Sequence, residues 1–399
     1  MAKLFIENLP DLAGKLVSVR VDYNVPLKDG KVEDDRRIQA SLPTVRFLQK
    51  QGARVVLMSH LGRPKGAVKD ELRLAPVAAR LGELLGAPIQ SATDCVGPDS
   101  TAKVSTLKDG DVLLLENVRF HPEEEKNDAD FAKTLAHGAD YFVNDAFGTA
   151  HRAHASTEGI TRFVQKSACG YIIRDELKYL GEVLANPERP YVAISGGAKI
   201  SGKIDLIDSV LPTVDHLLIG GGMTYTFLKA QGHEIGKSLL EEDKVDVAKT
   251  TLEHGAGKLE LPVDSLVATE IDFGARTVGE LSTVTSEQMP ADGIGLDIGP
   301  ATIEHFRKII LNAKTVVWNG PMGVFEIDAT SKGTFAIADA LVEATKKGAT
   351  TIVGGGDSAA AVEKAGLADQ VSHVSTGGGA TLEYLQGKVL PGVAALDEA

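Results

Sequence analysis

The chain has 399 residues, 43% of them hydrophobic and 24% charged, with 42 basic against 55 acidic side chains and a net charge of −13. This is ordinary globular composition at a length beyond what one hydrophobic core organises, so two domains are expected and disorder is excluded. The acidic balance argues against general nucleic-acid binding, which wants a basic face.

No apolar stretch reaches signal-peptide or transmembrane length. The expectation is a soluble, cytoplasmic protein without a membrane partner; an organellar form lacking its targeting segment would read the same. The two cysteines, Cys95 and Cys169, show no CxxC and no metal-ligand spacing, so they read as reduced structural thiols.

Short apolar runs alternate with stretches of helical period, the pattern of an α/β protein with parallel sheets flanked by helices. Strands are expected at Leu16–Val21, Arg54–Ser59, Val112–Glu116 and Asp140–Asn144, with helices at Arg37–Gln49, Leu74–Leu85 and Asp128–His137. An amphipathic run, Arg174–Ala185, follows and is stopped by Asn186-Pro187-Glu188-Arg189-Pro190. The domain junction is expected there, giving an N-terminal domain over 1–173, a linker helix over 174–190 and a second domain over 191–389. Strands of the second domain are expected at Tyr191–Ile194, His216–Ile219, Thr315–Trp318, Thr350–Val353 and Val371–Ser375. Its helices are expected at Ile204–Leu211, Thr224–Ala230, Glu241–Glu253, Ala329–Lys347 and Ser358–Lys364.

Arginine is distributed unevenly: twelve of fifteen lie at or before Arg174. The first 174 residues hold 24 basic and 23 acidic side chains, and the rest 18 and 32, which recovers the total of −13. Guanidinium grips carboxylate and phosphate bidentately, so the first half is the one suited to a small anion. In open α/β sheets ligands sit beyond the carboxyl ends of strands. Those exits read Arg20-Val-Asp22-Tyr-Asn24, Ser59-His60-Leu-Gly-Arg63, Glu116-Asn-Val-Arg119-Phe-His121 and Asn144-Asp145 through His151-Arg152-Ala-His154. Each carries Arg beside His, Asn or Asp, and together they predict a positive basin for a phosphate plus a carboxylate. Of Arg36 and Arg37, which open a helix, one would reach the basin and the other be solvated. His60, His151 and His154 read equally as donors or as packed imidazoles. His121, His137, His216, His233, His254, His305 and His373 read as structural, and Glu123-Glu124-Glu125 as a solvated loop.

The second half ends its strands in glycine: Ser195-Gly-Gly-Ala-Lys199, Gly220-Gly-Gly, Asn319-Gly-Pro321, Gly354-Gly-Gly-Asp357-Ser358 and Ser375-Thr-Gly377-Gly-Gly379. Glycine between strand and helix lets backbone N–H groups reach a phosphate, and a helix N-terminus adds about half a positive charge. Several such turns at one sheet edge predict a polyphosphate site. Gly197 through Gly202-Lys203 matches the P-loop pattern, but Ile204 stands where Ser or Thr must hold Mg²⁺. Asp357 is the best-placed carboxylate for a metal.

The segments RVDYNVPL, SHLGRP, ENVRFHP, NDAFGTAHRAH, IGGGM, VVWNGPMGVFE, GGGDS and STGGGA, in this order over most of the chain, resemble the phosphoglycerate kinase family. The resemblance implies two Rossmann-like domains, a phosphotransferase with a carboxyl acceptor in glycolysis, gluconeogenesis or carbon fixation, and a monomer. It implies 3-phosphoglycerate on Asp22, Asn24, Arg37, His60, Arg63, Arg119 and Arg152. ATP or ADP would be held by Gly196, Gly197, Ala198, Lys199, Lys203, Gly220, Gly221, Gly295, Asn319, Pro321, Glu326, Gly355, Gly356, Asp357 and Ser358, with Mg²⁺ on Asp357. It also implies that residues 390–399 return to the first domain. Two positions depart from the family: Tyr23 replaces the usual Phe, and Gly202 precedes Lys203 where Asp is common.

The implied acceptor is a carboxylate, ionised at neutral pH, so no general base is required. Catalysis reduces to alignment and charge neutralisation by Arg37, Lys203 and the helix N-terminus at Gly378, with hinge closure about Arg174–Pro190 before chemistry. A P-loop ATPase and a non-catalytic nucleotide-binding regulator are the alternatives.

Overall fold

The computed structural model describes residues 3–399, apart from the side chains of residues 182 and 184. The first two residues of the expected N-terminal domain therefore lie outside the described residues. The chain divides into two compact units, one running to Lys178 and including Val389–Ala399, the other Tyr179–Lys388.

The first unit is built on a parallel sheet. Its strands are β1 (Leu16–Arg20), β4 (Arg54–Met58), β5 (Gln90–Ser91), β6 (Val112–Leu114), β7 (Tyr141–Asn144) and β8 (Lys166–Cys169), with a hairpin of β2 (Leu27–Lys28) and β3 (Lys31–Val32) beside it. The order is β5-β6-β4-β1-β7-β8. Every residue of β1 is buried, as a central strand covered on both faces requires. Its helices are α1 (Arg36–Lys50), α2 (Ala75–Leu85), α3 (Pro98–Thr106), α4 (Pro122–Glu125), α5 (Ala129–Leu135) and α6 (Tyr171–Glu176). Helix α1 buries Ile38, Leu42, Val45 and Leu48 along one stripe. The C-terminal segment joins this unit: Leu4 N–H donates to Asp397 O at 2.8 Å, and Asn144 Nδ2 to Gly392 O at 2.8 Å.

The second unit holds a matching sheet of β9 (Tyr191–Ser195), β10 (His216–Ile219), β11 (Leu259–Glu260), β17 (Thr315–Asn319), β18 (Thr350–Gly354) and β19 (His373–Val374), in the order β11-β10-β9-β17-β18-β19. Beside it stand an antiparallel sheet of β12 (Asp264–Ala268), β15 (Ser282–Thr285) and β16 (Ile294–Ile298), and a hairpin of β13 (Ile271–Asp272) and β14 (Thr277–Val278). Helices α7 (Glu182–Ala185), α8 (Ile204–Val210), α9 (Thr224–Ala230), α10 (Val245–His254), α11 (Pro300–Asn312), α12 (Lys332–Lys346), α13 (Gly356–Lys364) and α14 (Gly379–Leu385) complete it; α15 (Pro391–Ala394) belongs to the first unit. The core gathers Trp318, Phe306, Ile310, Ile337 and Leu341, all without solvent exposure.

The sequence pattern found the long central strands and missed β5, β8, β11, the antiparallel sheet, α3, α11 and α14. Strands β5 and β11 are two-residue edges, and β15 reads Ser-Thr-Val-Thr, so neither carries an apolar run. The segment read as a linker helix starts earlier, at Tyr171, and passes through a π-helical turn at Leu177–Gly181. Residues up to 178 group with the first unit and those from 179 with the second.

Asp145, just beyond β7, has no solvent exposure and accepts the Ile172 N–H at 2.8 Å, holding the first turn of α6. Burial pushes its carboxyl from the usual 3.8 up to about 7. The folded state therefore binds this proton more tightly than the unfolded chain, and the associated stability is lost as pH rises from about 4 to about 7. Asp145→Asn, which keeps the shape without the charge, is expected to gain stability relative to wild type across that window in urea titrations. A difference that stays constant with pH contradicts this.

Candidate active site

In the first unit the site grows from a charge turned inward. Arg20, the last residue of β1, has no solvent exposure. Its Nε donates to Ser156 Oγ at 2.8 Å, its Nη1 to Val21 O, and its Nη2 lies 3.1 Å from His60 Nδ1. Ser156 in turn donates from Oγ and N to Glu124 at 2.6 and 2.9 Å. Burial lowers the Arg20 pKa to about 10, which leaves it cationic at neutral pH, and pushes the Glu124 carboxyl up. The Glu123-Glu124-Glu125 run is not the solvated loop its composition suggests, but part of the short helix α4. Glu124 has no solvent exposure, because it sits as acceptor and counter-charge for the Arg20 network.

Guanidinium only donates, so His60 Nδ1 must accept, and the neutral ring carries its proton on Nε2. Burial, then Arg20, Arg119 and Arg37, hold the His60 pKa well below the ordinary imidazole value. His154 is likewise pushed down to about 4, by burial and then Arg119, Arg20 and Arg152. These are the marks of a shared positive field.

The exits of β1 and β4 are stitched together. Tyr23 N donates to Ser59 Oγ at 2.8 Å, and Gly62 N to Asn24 Oδ1 at 2.8 Å. The extra hydroxyl of Tyr23 is absorbed by Ser41 Oγ at 2.8 Å. Arg37, at the start of α1, reaches Asp22 Oδ2 at 3.1 Å and Asn24 O at 3.1 Å, while Arg36 pairs with Asp34. Arg119 donates to Gly62 O at 3.1 Å, its own N–H held by Asn117 Oδ1 at 3.1 Å. Arg152 is exposed, with Nε 3.2 Å from His151 Nε2, and Arg63 is exposed one residue past Gly62. Asp22, Asn24, Arg37, His60, Arg119 and Arg152 thus gather at the carboxyl edge of one sheet, with Arg63 on the same loop as His60.

The glycine turns of the second unit behave differently from the expectation. Gly196 N donates to Asn319 O at 2.9 Å, Gly197 N to Pro321 O at 3.0 Å, Gly220 N to Ser195 O at 3.0 Å and Gly221 N to Met322 O at 2.9 Å. These amides lace the loops to one another instead of standing open for a phosphate. The glycines are there because the backbones approach too closely for a side chain: a Cβ on Gly196 would lie 2.1 Å from Pro321 O. The P-loop reading falls for the same reason, since Gly197 is engaged on both its N–H and its C=O, and Ile200 is fully buried.

Open donors lie instead at the head of α13. Gly355 caps it at φ 89° with no side-chain cap, and the first-turn N–H groups of Gly356, Asp357 and Ser358 have no intrahelical acceptor. Ser358 Oγ itself is committed, donating to Gly354 O at 2.7 Å and accepting Gly320 N at 2.8 Å. Lys203 Nζ donates to Asn319 Oδ1, while Asn319 Nδ2 is buried without a protein partner. Burial lowers the Lys203 pKa to about 8 against the opposing pull of Asp357. Gly202 does not loosen this turn: Lys203 N donates to Ile200 O at 2.8 Å, and Ser201 N is held by Glu241 at 3.1 Å. Lys199 is exposed, and Gly378 caps α14 at φ 50°.

A cavity of 410 Å³ opens beside these loops, and of the expected residues Gly197, Ala198, Gly221, Gly295, Pro321, Glu326 and Asp357 line it. Its remaining wall was not foreseen: Tyr225, Leu239, Ile271, Phe273, Ile294, Leu296 and Val324. Most of that wall comes from the antiparallel sheet and hairpin that the apolar pattern missed. Gly295 is needed there, as a Cβ would fall 1.7 Å from Tyr225 Oη.

Comparison with known proteins agrees with this architecture. The phosphoglycerate kinase family model matches residues 6–388. A phosphoglycerate kinase of Chlorobium chlorochromatii is 57% identical over 397 residues, 98% of this chain and 99% of that one. The solved phosphoglycerate kinase of Coxiella burnetii is 42% identical with a TM-score of 0.88, covering 98% of each chain. That of Pyrococcus horikoshii is 32% identical with a TM-score of 0.85, again covering 98% of each. With the family model spanning nearly the whole chain and relatives this similar, the chain belongs to the phosphoglycerate kinase family.

Proposed function

We propose that the chain catalyses reversible phosphoryl transfer between ATP and the carboxylate of 3-phosphoglycerate, giving ADP and 1,3-bisphosphoglycerate. The observation that carries this reading is the basin of Arg37 and Arg119 around His60, a neutral donor embedded in positive charge, with Arg152 beside Arg119 and His154. Such a basin suits a small ligand with a carboxylate and a phosphate, and repels a second cation.

The nucleotide is assigned to the cavity of the second unit. Its apolar wall suits a base, Glu326 in its lining suits the ribose hydroxyls as an acceptor, and the head of α13 suits phosphates. Asp357, an exposed carboxylate lining that cavity, is a hard oxygen donor that fits Mg²⁺ shared with phosphate oxygens. The ion, when bound, neutralises charge on the transferring phosphoryl. Asn319 Nδ2, buried and unpartnered, is a further donor for a phosphate oxygen.

The acceptor is an ionised carboxylate, so no residue removes a proton. Arg37 neutralises and orients the acceptor from one unit, Lys203 the transferring group from the other, and the backbone at Gly378 adds N–H donors at the head of α14. With one ligand assigned to each unit, hinge motion about Arg174–Pro190 is part of the proposed cycle.

Arg37→Ala or Lys203→Ala is expected to lower kcat by roughly 10³-fold or more, the scale of losing one transition-state charge, with Arg36→Ala within about twofold of wild type. Near-normal turnover in both variants, read in a coupled assay with and without 3-phosphoglycerate, contradicts the assignment. Lys203 must be charged to serve, and its pKa of about 8 places the loss within reach. The kcat/KM for MgATP should therefore fall as pH rises through about 8. Lys203→Arg should abolish that fall, and an unchanged profile in that variant would count against the role.

A further inference from the structure

Away from the anion basin, the first unit gathers three side chains with different ligand chemistry. A carboxylate oxygen of Asp94, the Cys95 sulfur and an imidazole nitrogen of His121 all lie within 4.8 Å of one another, the one such group among the described residues. They come from two stretches: Asp94 and Cys95 from the loop between β5 and α3, His121 from the cap of α4. His121 Nε2 stands 2.6 Å from Asp94 Oδ1, which also accepts the Cys95 N–H at 2.7 Å. The supports are fixed as well. Phe131 packs on the His121 ring at 5.3 Å between centroids, and His137 Nε2 lies 2.8 Å from the Cys95 carbonyl. The thiol is buried at the bottom, while the Asp94 and His121 side chains are 47% and 28% exposed, so the group opens to solvent on one side.

We propose that Asp94, Cys95 and His121 form a binding site for a thiophilic divalent cation of the zinc class. Sulfur, nitrogen and oxygen donors with a fourth position left to water match the ligand set such ions take. Thiolate and imidazole disfavour Mg²⁺, which demands oxygen ligands, so this site does not compete for the nucleotide's ion. Burial, then the charges of Asp94 and Glu124, push the Cys95 thiol well above its ordinary range, so the ion has to displace a firmly held proton. On binding, a metal–sulfur bond replaces the thiol S–H, whose proton leaves to solvent. The His121 proton that now faces Asp94 moves to Nδ1, freeing Nε2 as a ligand. The bound ion ties the loop before α3 to the segment that carries Arg119, so it stabilises the fold beside the anion basin.

Co²⁺ added to the reduced full-length protein reports the site directly. A thiolate-to-cobalt charge-transfer band in the near ultraviolet, saturating at one ion per chain and abolished by Zn²⁺, is expected. Cys95→Ser should lose the band and Cys169→Ser keep it. Because Cys95 is buried, His121→Asn and Asp94→Asn serve as variants nearer the surface, each expected to weaken Co²⁺ binding by at least about tenfold. Zn²⁺ should raise the unfolding temperature of wild type but not of His121→Asn. Absence of the sulfur–cobalt band in wild type, its persistence in Cys95→Ser, or unchanged affinity in both surface variants overturns the proposal.

Discussion

One buried guanidinium organises the first unit. Arg20 ends the central strand with no solvent exposure, and an isolated charge in that position would be strongly destabilising. It is tolerated because Ser156, the Val21 carbonyl, His60 and, through Ser156, Glu124 close around it. The consequence reaches the ligand surface. By donating to His60 Nδ1, Arg20 fixes the tautomer of an imidazole that also feels Arg119 and Arg37, and its charge helps keep that ring neutral. The arginines assigned to the anion in the proposed function then have a positively polarised floor beside them.

The second unit, to which the proposed function assigns the nucleotide, has almost no arginine. Its glycine loops are laced to one another by their own amides, an arrangement that needs residues without Cβ where strands β9, β10 and β17 release their chains. That lacing builds a stiff rim. The donors that the proposed function gives a ligand are few: the heads of α13 and α14, Lys203 and Asn319 Nδ2. In the proposed function the arginine asymmetry of the sequence reflects two physical strategies, charged side chains in one unit and mostly backbone donors with Lys203 in the other.

What was legible in the sequence follows from what a linear pattern encodes. Buried parallel strands announce themselves as apolar runs, so β1, β4, β9, β17 and β18 were found within a residue or so, and the exits after them led to the basin residues. The roles of single residues at those exits were less legible. Nothing local distinguishes Arg20, which is buried, from Arg63, which is exposed, because the difference lies in Glu124 and Ser156 more than a hundred residues away. Glu124 itself hid in an acidic run that looked solvated. The apolar wall of the cavity was missed because its strands alternate polar and apolar residues over very short spans. Asp94, Cys95 and His121 showed no ligand spacing, since the loop and the helix cap meet only in the fold.

In the proposed function His60 is a neutral Nε2–H donor held among guanidiniums for an anion. Nitrogen-15 NMR of the imidazole tests it directly. At neutral pH without ligand, a neutral ring protonated on Nε2 is expected, with an upward move of its pKa when 3-phosphoglycerate is added. An imidazolium at neutral pH in the free protein, or a ring indifferent to 3-phosphoglycerate, would contradict it.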